Sequence, residues 1–198
     1  MLDHDPVRPG KAQPASRAGH AKLAVARLGI GETLHRDGFR LRSAAFDDGE
    51  QLDPSFTAEE EDAVAPPLEW SAPPEGTVEL ALVVEDPDAP SPEPFCHWLV
   101  WGLAPQRGQL LEGETPPRVG KNAHGNSEWL LPAPPEGDTP HDYVFQLFAL
   151  DRAVALMPGA TRGDLLEAME GHVLAAAVLT GTYARSEDEL DWDEGDGE

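Results

Sequence analysis

The amino-acid sequence predicts a mostly β protein, built as an antiparallel sandwich or barrel. Short apolar and aromatic segments are separated by clusters of proline and other turn residues, which is typical of that fold class. Near the C-terminal end, one segment instead combines a capping residue with apolar side chains at helical spacing. We therefore expect a β fold that carries one or two helices close to its end.

Four segments have the composition of strands. Residues Phe39–Phe46 alternate apolar and polar side chains, as a strand with one buried face does. Val78–Glu85 and Phe95–Leu103 are short apolar runs, and Tyr143–Leu150 is rich in aromatic and β-branched residues. Because proline pairs and turn residues lie between these segments, we expect short, separate strands.

The predicted helix begins after Thr161, a good N-cap residue, and Asp164 lies where the acid of a capping box would be. Apolar residues follow at helical spacing, at Leu165, Leu166, Met169, Val173, Leu174 and Ala177. Gly171 is a point at which this helix can break in two. We expect a last short strand at Thr182–Arg185.

The chain divides into three parts. Residues 1–31 are rich in proline, glycine and alanine, so we expect a flexible extension with a short helical turn at Ala21–Leu28. Residues 32–185 hold all the predicted strands, and a hydrophobic content of 40% in 198 residues suffices for one domain core. Residues 186–198 form an acidic tail whose like charges repel one another.

The formal net charge is −23, from 37 acidic and 14 basic residues. Since a nucleic-acid-binding protein needs a basic surface, we expect no nucleic-acid partner. The single cysteine, Cys96, excludes an intramolecular disulfide bond and favours the cytoplasm. We predict no transmembrane segment, because no apolar run reaches the roughly 18 residues required. The N-terminus also lacks the apolar stretch of a secretory signal.

Two aspartates directly follow the Val78–Glu85 segment, in the motif Asp86-Pro87-Asp88-Ala89-Pro90. The two prolines restrict the backbone and would hold the carboxylates of Asp86 and Asp88 in defined directions. The alternative is an ordinary turn, in which aspartate accepts backbone hydrogen bonds.

His97 lies next to Cys96 in the Phe95–Leu103 segment. Neighbouring residues of a strand point to opposite faces, so we expect His97 to share a face with Leu99. Cys96 should share the other face with Trp98, which argues against a nucleophile and base pair formed by Cys96 and His97. His97 could donate to an anion or bind a metal ion, or it could be a hydrogen-bonded structural residue.

His141 and Tyr143 are two residues apart at the start of a strand segment, so they should face the same way. An imidazole and a phenol on one face can together donate hydrogen bonds to a phosphate or carboxylate oxygen. The alternative is a strand edge with a histidine that faces solvent.

Sequence signatures of enzymes and cofactors are absent from the chain. Asp86, His97 and His141 could form a metal-binding set, but there is no HExxH motif and no cysteine-rich zinc pattern. The chain also has no Gly-x-Ser-x-Gly motif, no P-loop and no dinucleotide-binding glycine motif. We therefore predict no catalytic residue, no metal and no cofactor.

In this order, the motifs resemble the phosphatidylethanolamine-binding protein family, in its bacterial Raf-kinase-inhibitor-like branch. The resemblance covers about residues 39–185. The matching segments are the opening strand and Asp-Gly turn of Phe39–Asp53, Pro66–Ser71, the motif at Asp86–Pro90 with the strand that holds His97-Trp98, His141–Phe145, and the end of the domain at Ala168–Arg185.

The resemblance implies a β-sandwich with Greek-key connections and a small surface pocket for phosphate-like anions, including phospholipid headgroups. The resemblance assigns ligand binding to Asp86, His97, His141 and Tyr143. It also implies that Pro132 forms a wall of the pocket, that Trp98 packs nearby and that Asp88 fixes the turn.

Three positions depart from the family pattern. Family members usually read His-Arg-Tyr where this chain has Asp142 in the middle, and Gly-Gly where it has Leu130-Leu131. Gly102 stands where asparagine is common. The loss of an arginine and of two glycines, which let a backbone approach a ligand closely, bears on anion binding more than on the fold.

These observations predict a non-enzymatic binding protein for a small anion or a phospholipid headgroup. A regulatory protein that inhibits a kinase or protease is the alternative, with Leu190 and Trp192 of the acidic tail as contacts. A hydrolase with Asp86 and His97 as general base is a third hypothesis. The resemblance also suggests a homodimer.

Overall fold

The computed structural model describes residues 19–29 and 31–185. This part of the chain contains two α-helices, α1 (Ala24–Arg27) and α2 (Arg162–Met169), and single 3₁₀ turns at His20–Lys22, Arg36–Gly38 and Pro54–Phe56. Its strands are β1 (Leu41–Arg42), β2 (Leu68–Trp70), β3 (Glu79–Asp86), β4 (Phe95–Leu103), β5 (Gly108–Leu110), β6 (Arg118–Val119), β7 (His141–Leu150) and β8 (Val173–Tyr183).

The strands form two antiparallel sheets, which confirms the predicted fold class. The small sheet has the order β1–β2–β5, and the large sheet has the order β6–β4–β3–β7–β8. β3 therefore lies between β4 and β7, and its Glu85 is opposite both Cys96 and Val144. This pairing places the end of β3 beside the starts of β4 and β7.

The large sheet is covered on both faces. Its Leu82 and Phe145 belong to a core shared with Leu68 of the small sheet. On the opposite face, Val83 belongs to a second core with Leu165 of α2. A strand buried on both faces needs apolar residues throughout and not at alternate positions, which explains the apolar run in β3.

A β-bulge in β4 changes the predicted faces of that strand. Val84 pairs with Trp98 and Glu85 pairs with Cys96, so His97 is an extra residue between two ladder pairs. As a result, Cys96 packs in the core on the helix side, whereas Trp98 packs in the core between the sheets. The prediction that Cys96 and Trp98 share a face is therefore wrong.

The predicted helix is correct up to Met169 and wrong beyond Gly171. Thr161 caps α2 in a capping box with Asp164, as the sequence predicts. The chain then turns at Gly171, which has φ of +76°, and continues as β8. Residues 173–183 pair with almost the whole of β7. The apolar spacing of this segment also fits a helix, but the backbone pairing with β7 outweighs that preference.

Residues 19–29 lie against the large sheet on the side of α2. The helical turn predicted at Ala21–Leu28 is present as α1. Its Ala24 N–H donates to Glu85 Oε2 (2.8 Å), and its Val25 N–H donates to Gln146 Oε1 (2.9 Å). Residues 1–18 and 186–198 of the predicted extension and acidic tail lie outside the described residues. Within the described ranges, no helix has the length and apolar character to cross a membrane.

A buried ion pair joins α2 to this segment. Glu85 is fully buried, and its carboxylate accepts from Arg162 Nε and from Gln146 Nε2 (2.8 Å). Arg162 also donates to the carbonyl oxygen of Lys22 (2.8 Å). One arginine thus neutralises a buried acid and holds the N-terminal segment in place.

Replacing Arg162 with leucine leaves the Glu85 carboxylate buried without its cation. We expect the free energy of unfolding to fall by about 3–5 kcal/mol, measured by urea denaturation. Arg152→Leu is the control, since Arg152 is at the surface and its hydrogen bond is to His172 (3.0 Å), and it should change stability by less than about 0.5 kcal/mol. An equal loss in both variants would contradict this role of the ion pair. Adding Glu85→Gln to Arg162→Leu should recover part of the loss.

Candidate functional site

A cleft of about 290 Å³ opens where β3 ends and β4 and β7 begin. Four of the predicted site residues line it together: Asp86, His97, His141 and Tyr143. The remaining lining is mostly apolar. It consists of Phe95 at the start of β4 and of the loop residues Ala89, Pro90, Ser91, His124, Leu130, Leu131, Ala133, Pro134 and Pro135.

Asp86 is a buried carboxylate at the end of β3, and both of its oxygens accept hydrogen bonds. Oδ1 accepts from the backbone N–H groups of Asp88 (2.8 Å) and Ala89 (3.0 Å). Pro87, which lies between Asp86 and Asp88, has no N–H group to donate, so the Asp86 side chain organises this turn. Asp86 therefore has the turn role given as the alternative in the sequence analysis, and it also lines the cleft.

His141 is held by the other oxygen of the same carboxylate. Its Nδ1 lies 2.8 Å from Asp86 Oδ2, and both side chains are about 5% exposed. Because a carboxylate only accepts, Nδ1 carries a proton in this bond. The hydrogen bond from Asp86 raises the pKa of His141, against the opposing effect of burial. The second nitrogen, Nε2, lies 3.6 Å from Asp138 Oδ2.

His97 has the opposite electrostatic character. Its Nδ1 lies 2.7 Å from the carbonyl oxygen of Leu130, so Nδ1 donates and, in the neutral ring, Nε2 has a free lone pair. Burial lowers the pKa of His97, which favours this neutral form. Nε2 is buried and has no hydrogen-bond partner among the described residues.

Tyr143 is buried and lines the cleft beside His97. Its ring meets the His97 ring edge-on, with centroids 5.0 Å apart. Burial, followed by the nearby Asp86 carboxylate, raises the pKa of the phenol well above its usual value. The hydroxyl therefore keeps its proton and can serve as a donor.

Three predicted site residues do not line the cleft. Pro132 is buried behind it, where its carbonyl oxygen accepts from the Ala58 N–H (3.0 Å). Trp98 packs in the core between the sheets, because the bulge turns it away from the opening. Asp88 points to the other side of the turn, where its Oδ2 accepts from the Asp142 N–H (2.8 Å). The wall predicted for Pro132 is instead formed by the residues that follow it, 133–135.

His124 is a cleft residue that the sequence analysis missed. Its ring meets that of Phe95 edge-on at 5.6 Å. Asn122 holds the loop, because its Oδ1 accepts from the N–H groups of His124 (3.0 Å) and Asn126 (3.1 Å). The turn residues of the Asn-Ala-His-Gly-Asn segment indicate a loop, but nothing in the sequence indicates that this loop reaches the cleft.

Two potential nucleophiles near the cleft have structural contacts instead. Burial, followed by the nearby Glu85, raises the pKa of the Cys96 thiol to about 12, so the thiol stays protonated near neutral pH. The hydroxyl of Ser91 donates to the Glu93 carbonyl oxygen. Neither the Cys96 thiol nor the Ser91 hydroxyl is therefore hydrogen-bonded to the pair formed by Asp86 and His141.

The charge of the cleft comes from histidines and one acid. Among its described lining residues, there is no lysine and no arginine. Attraction of an anion to the cleft therefore depends on the protonation of imidazoles, and His141 is the imidazole whose surroundings favour protonation.

The comparisons with known proteins agree with this geometry. The family model described as "Phosphatidylethanolamine-binding protein" matches residues 42–184. A UPF0098 protein of Methanothermobacter thermautotrophicus is 38% identical over 155 residues, which cover 73% of this chain and 98% of the relative. A UPF0098 protein of Chlamydia muridarum is 39% identical over 149 residues, covering 73% and 97%.

Solved structures show the same fold. CT736 of Chlamydia trachomatis superposes with a TM-score of 0.70 at 36% identity, over 74% of this chain and 97% of that one. YbcL of E. coli, titled a new member of the mammalian PEBP family, superposes with a TM-score of 0.68 at 27% identity, over 74% and 98%. On the family match and these identities, the chain belongs to the phosphatidylethanolamine-binding protein family.

Proposed function

We propose that this family member is a non-enzymatic binding protein whose cleft takes a small phosphate-like anion, free or as part of a phospholipid headgroup. One observation carries the proposal. His141, which is held by Asp86, and His97, whose Nε2 has no hydrogen-bond partner among the described residues, line the same cleft. A ligand can therefore find both a donor and an acceptor there.

His141 is the residue proposed to bind the negatively charged oxygen of the ligand. Once protonated, its Nε2–H can donate a charge-assisted bond to a phosphate oxygen while Nδ1 stays on Asp86. Asp138, whose side chain is 51% exposed, is the only described acid within 4.0 Å of Nε2, and an anion must compete with it. The Tyr143 hydroxyl supplies a second donor.

His97 is proposed to accept a hydrogen bond from the ligand. The sequence analysis assigns a donor role to His97, but its Nδ1–H is already used by Leu130 and its surroundings favour the neutral ring. A phosphate that keeps one proton has an O–H group that can donate to Nε2. This pattern suits a singly protonated phosphate better than sulfate, which has no proton to give near neutral pH.

The apolar part of the wall suits the carbon atoms of a headgroup. Leu130, Leu131, Pro134 and Pro135 line the cleft beside the polar groups. Two leucines stand where the family has glycines, so this wall is bulkier. A phosphate ester with a short carbon chain should therefore gain contact area that free phosphate lacks.

The other functional hypotheses stay predictions. Inhibition of a kinase or protease through Leu190 and Trp192 involves residues outside the described part of the chain. A cytoplasmic location and a homodimer likewise stay predictions.

Titration of inorganic phosphate near pH 6, followed by NMR chemical shifts, tests the proposed cleft. We expect saturable shifts at cleft residues, and we expect His141→Ala to weaken binding at least about tenfold, since a charge-assisted hydrogen bond contributes about 1.5–3 kcal/mol. Tyr143→Phe should weaken it about two- to tenfold, because the lost bond is neutral. Binding that is unchanged in His141→Ala would eliminate the site.

Matched controls separate the cleft from the rest of the surface. His172 forms an exposed imidazole–carboxylate pair with Asp151 (2.8 Å), so His172→Ala should leave phosphate binding unchanged. Sulfate should bind more weakly than phosphate if His97 accepts from the ligand. Binding of soluble glycerophosphoethanolamine is then compared with binding to vesicles of phosphatidylethanolamine. This comparison distinguishes a free phosphate ester from a headgroup in a membrane.

The pKa values of His141 and His97 should depart in opposite directions from the ordinary value of about 6.5. Because Asp86 raises the pKa of His141, its contribution to stability is present below pH 6.5 and is lost as the pH rises through the folded-state pKa. His97 has a lowered pKa, so its contribution is present above pH 6.5 and is lost as the pH falls through its folded-state pKa. Phosphate binding should weaken as the pH rises through the pKa of His141.

Histidine ring signals in NMR titrations measure these pKa values directly. Asp86→Asn keeps an oxygen for the turn but removes the charge, so it should lower the pKa of His141. If His141 titrates below His97 in the unaltered protein, the assigned roles of the two rings are wrong.

A further inference from the structure

Three potential metal ligands meet beside the cleft and outside it. His20, Asp88 and Asp142 each offer one ligand atom, and these atoms all lie within 4.8 Å of one another. They come from three separate parts of the chain: the N-terminal segment, the turn after β3 and the start of β7. None of the three lines the cleft described above.

The backbone fixes the positions of the two carboxylates. Asp88 Oδ2 accepts from the Asp142 N–H (2.8 Å), which leaves Asp88 Oδ1 directed towards His20. Asp142 Oδ2 lies 3.1 Å from His20 Nε2, and Asp88 Oδ1 lies 3.9 Å from His20 Nδ1. The second distance is too long for a hydrogen bond.

Within residues 19–29 and 31–185, no lysine or arginine forms an ion pair with Asp88 or Asp142. The Nδ1 atom of His20 is itself buried and has no hydrogen-bond partner in that part of the chain. Two carboxylates therefore lie beside one imidazole, with Asp142 at its Nε2 and Asp88 at its Nδ1, an arrangement that a cation would stabilise.

We propose that His20, Asp88 and Asp142 bind one divalent transition-metal ion, with Zn²⁺ as the expected ion. One imidazole and two carboxylates suit Zn²⁺, whereas Ca²⁺ and Mg²⁺ prefer ligand sets made only of oxygen. An ion binds through one nitrogen of the His20 ring, and the three candidate ligand atoms lie within 4.8 Å of one another. Ligand atoms about 2.1 Å from a tetrahedral ion are about 3.4 Å apart, so side-chain movements must shorten the longest separation by at most about 1.4 Å. Water completes the coordination.

The proposed ion would fasten the N-terminal segment to the β domain. His20 is the only one of the three ligands that lies in that segment, and Asp88 and Asp142 adjoin cleft elements in the sequence. Since the ion would bind the folded state and not the dispersed ligands of the unfolded chain, it should raise the melting temperature.

Isothermal titration of ZnCl₂ into the metal-free, full-length protein tests the site. An excess of Ca²⁺ in the buffer occupies the exposed carboxylates, and it should not compete for a site with an imidazole ligand, because Ca²⁺ prefers oxygen ligands. We expect one Zn²⁺ per chain, with affinity lowered at least about tenfold by His20→Ala and by Asp142→Asn, which removes a ligand charge at almost constant size. Zn²⁺ should also raise the melting temperature of the unaltered protein more than that of either variant.

His172→Ala is the matched control, because His172 has the same side-chain exposure as His20, 32%, and also contacts an aspartate. It lacks a third ligand and should leave Zn²⁺ affinity unchanged. Full affinity in a folded His20→Ala or Asp142→Asn variant overturns the proposal, and so does an equal loss in His172→Ala. Should His20→Ala unfold, the Asp142→Asn result decides.

Discussion

The hydrogen bonds of the Asp86 carboxylate are the interaction on which this end of the molecule depends. One oxygen accepts from two backbone N–H groups of the turn after β3, and the other accepts from His141 on β7. A buried carboxylate is costly unless its charge is satisfied, and these three donors satisfy it. The same group therefore shapes the turn and orients the His141 ring. Through the turn, it also places the Asp88 side chain outside the cleft, where it accepts from the Asp142 N–H.

The second constraint is the bulge at His97. A regular strand would alternate the faces of Cys96, His97 and Trp98, but the extra residue puts Cys96 and Trp98 in different cores. With His97 released from the ladder register, its ring is aimed at the cleft and anchored by Leu130. Bulges often re-aim a side chain next to a functional site, and here the buried Nε2 has no hydrogen-bond partner within residues 19–29 and 31–185.

Sequence patterns predicted the elements whose local signals agree with their tertiary surroundings. Phe95–Leu103 is a strand at the predicted bounds, because its apolar and β-branched residues fit a position inside the large sheet. Val173–Tyr183 was predicted in large part as helix, since alanine, leucine and valine fit either structure and only the pairing with β7 decides.

The site was predictable where a short motif sets the geometry, and not where distant loops meet. Asp86, His141 and Tyr143 lie at strand ends in recognisable motifs, and the family resemblance assigns them to one pocket, whose cleft they line together. His124 and the wall at residues 133–135 arrive on loops whose paths no periodicity encodes. The N-terminal contacts of His20 and Ala24 depend on partners more than 60 residues away, which local patterns do not reveal.

The acid at position 142 finds its explanation in strand alternation. His141 and Tyr143 face the cleft, so the residue between them faces the other side of β7, towards His20. Replacing the arginine usual in the family by Asp142 therefore changes the surface beside the cleft and leaves its lining intact. The substitution adds negative charge close to a cleft whose described lining residues include no lysine or arginine, which disfavours anions at long range. A cation held by His20, Asp88 and Asp142 would offset that charge, so the two sites should be electrostatically coupled although they share no residue.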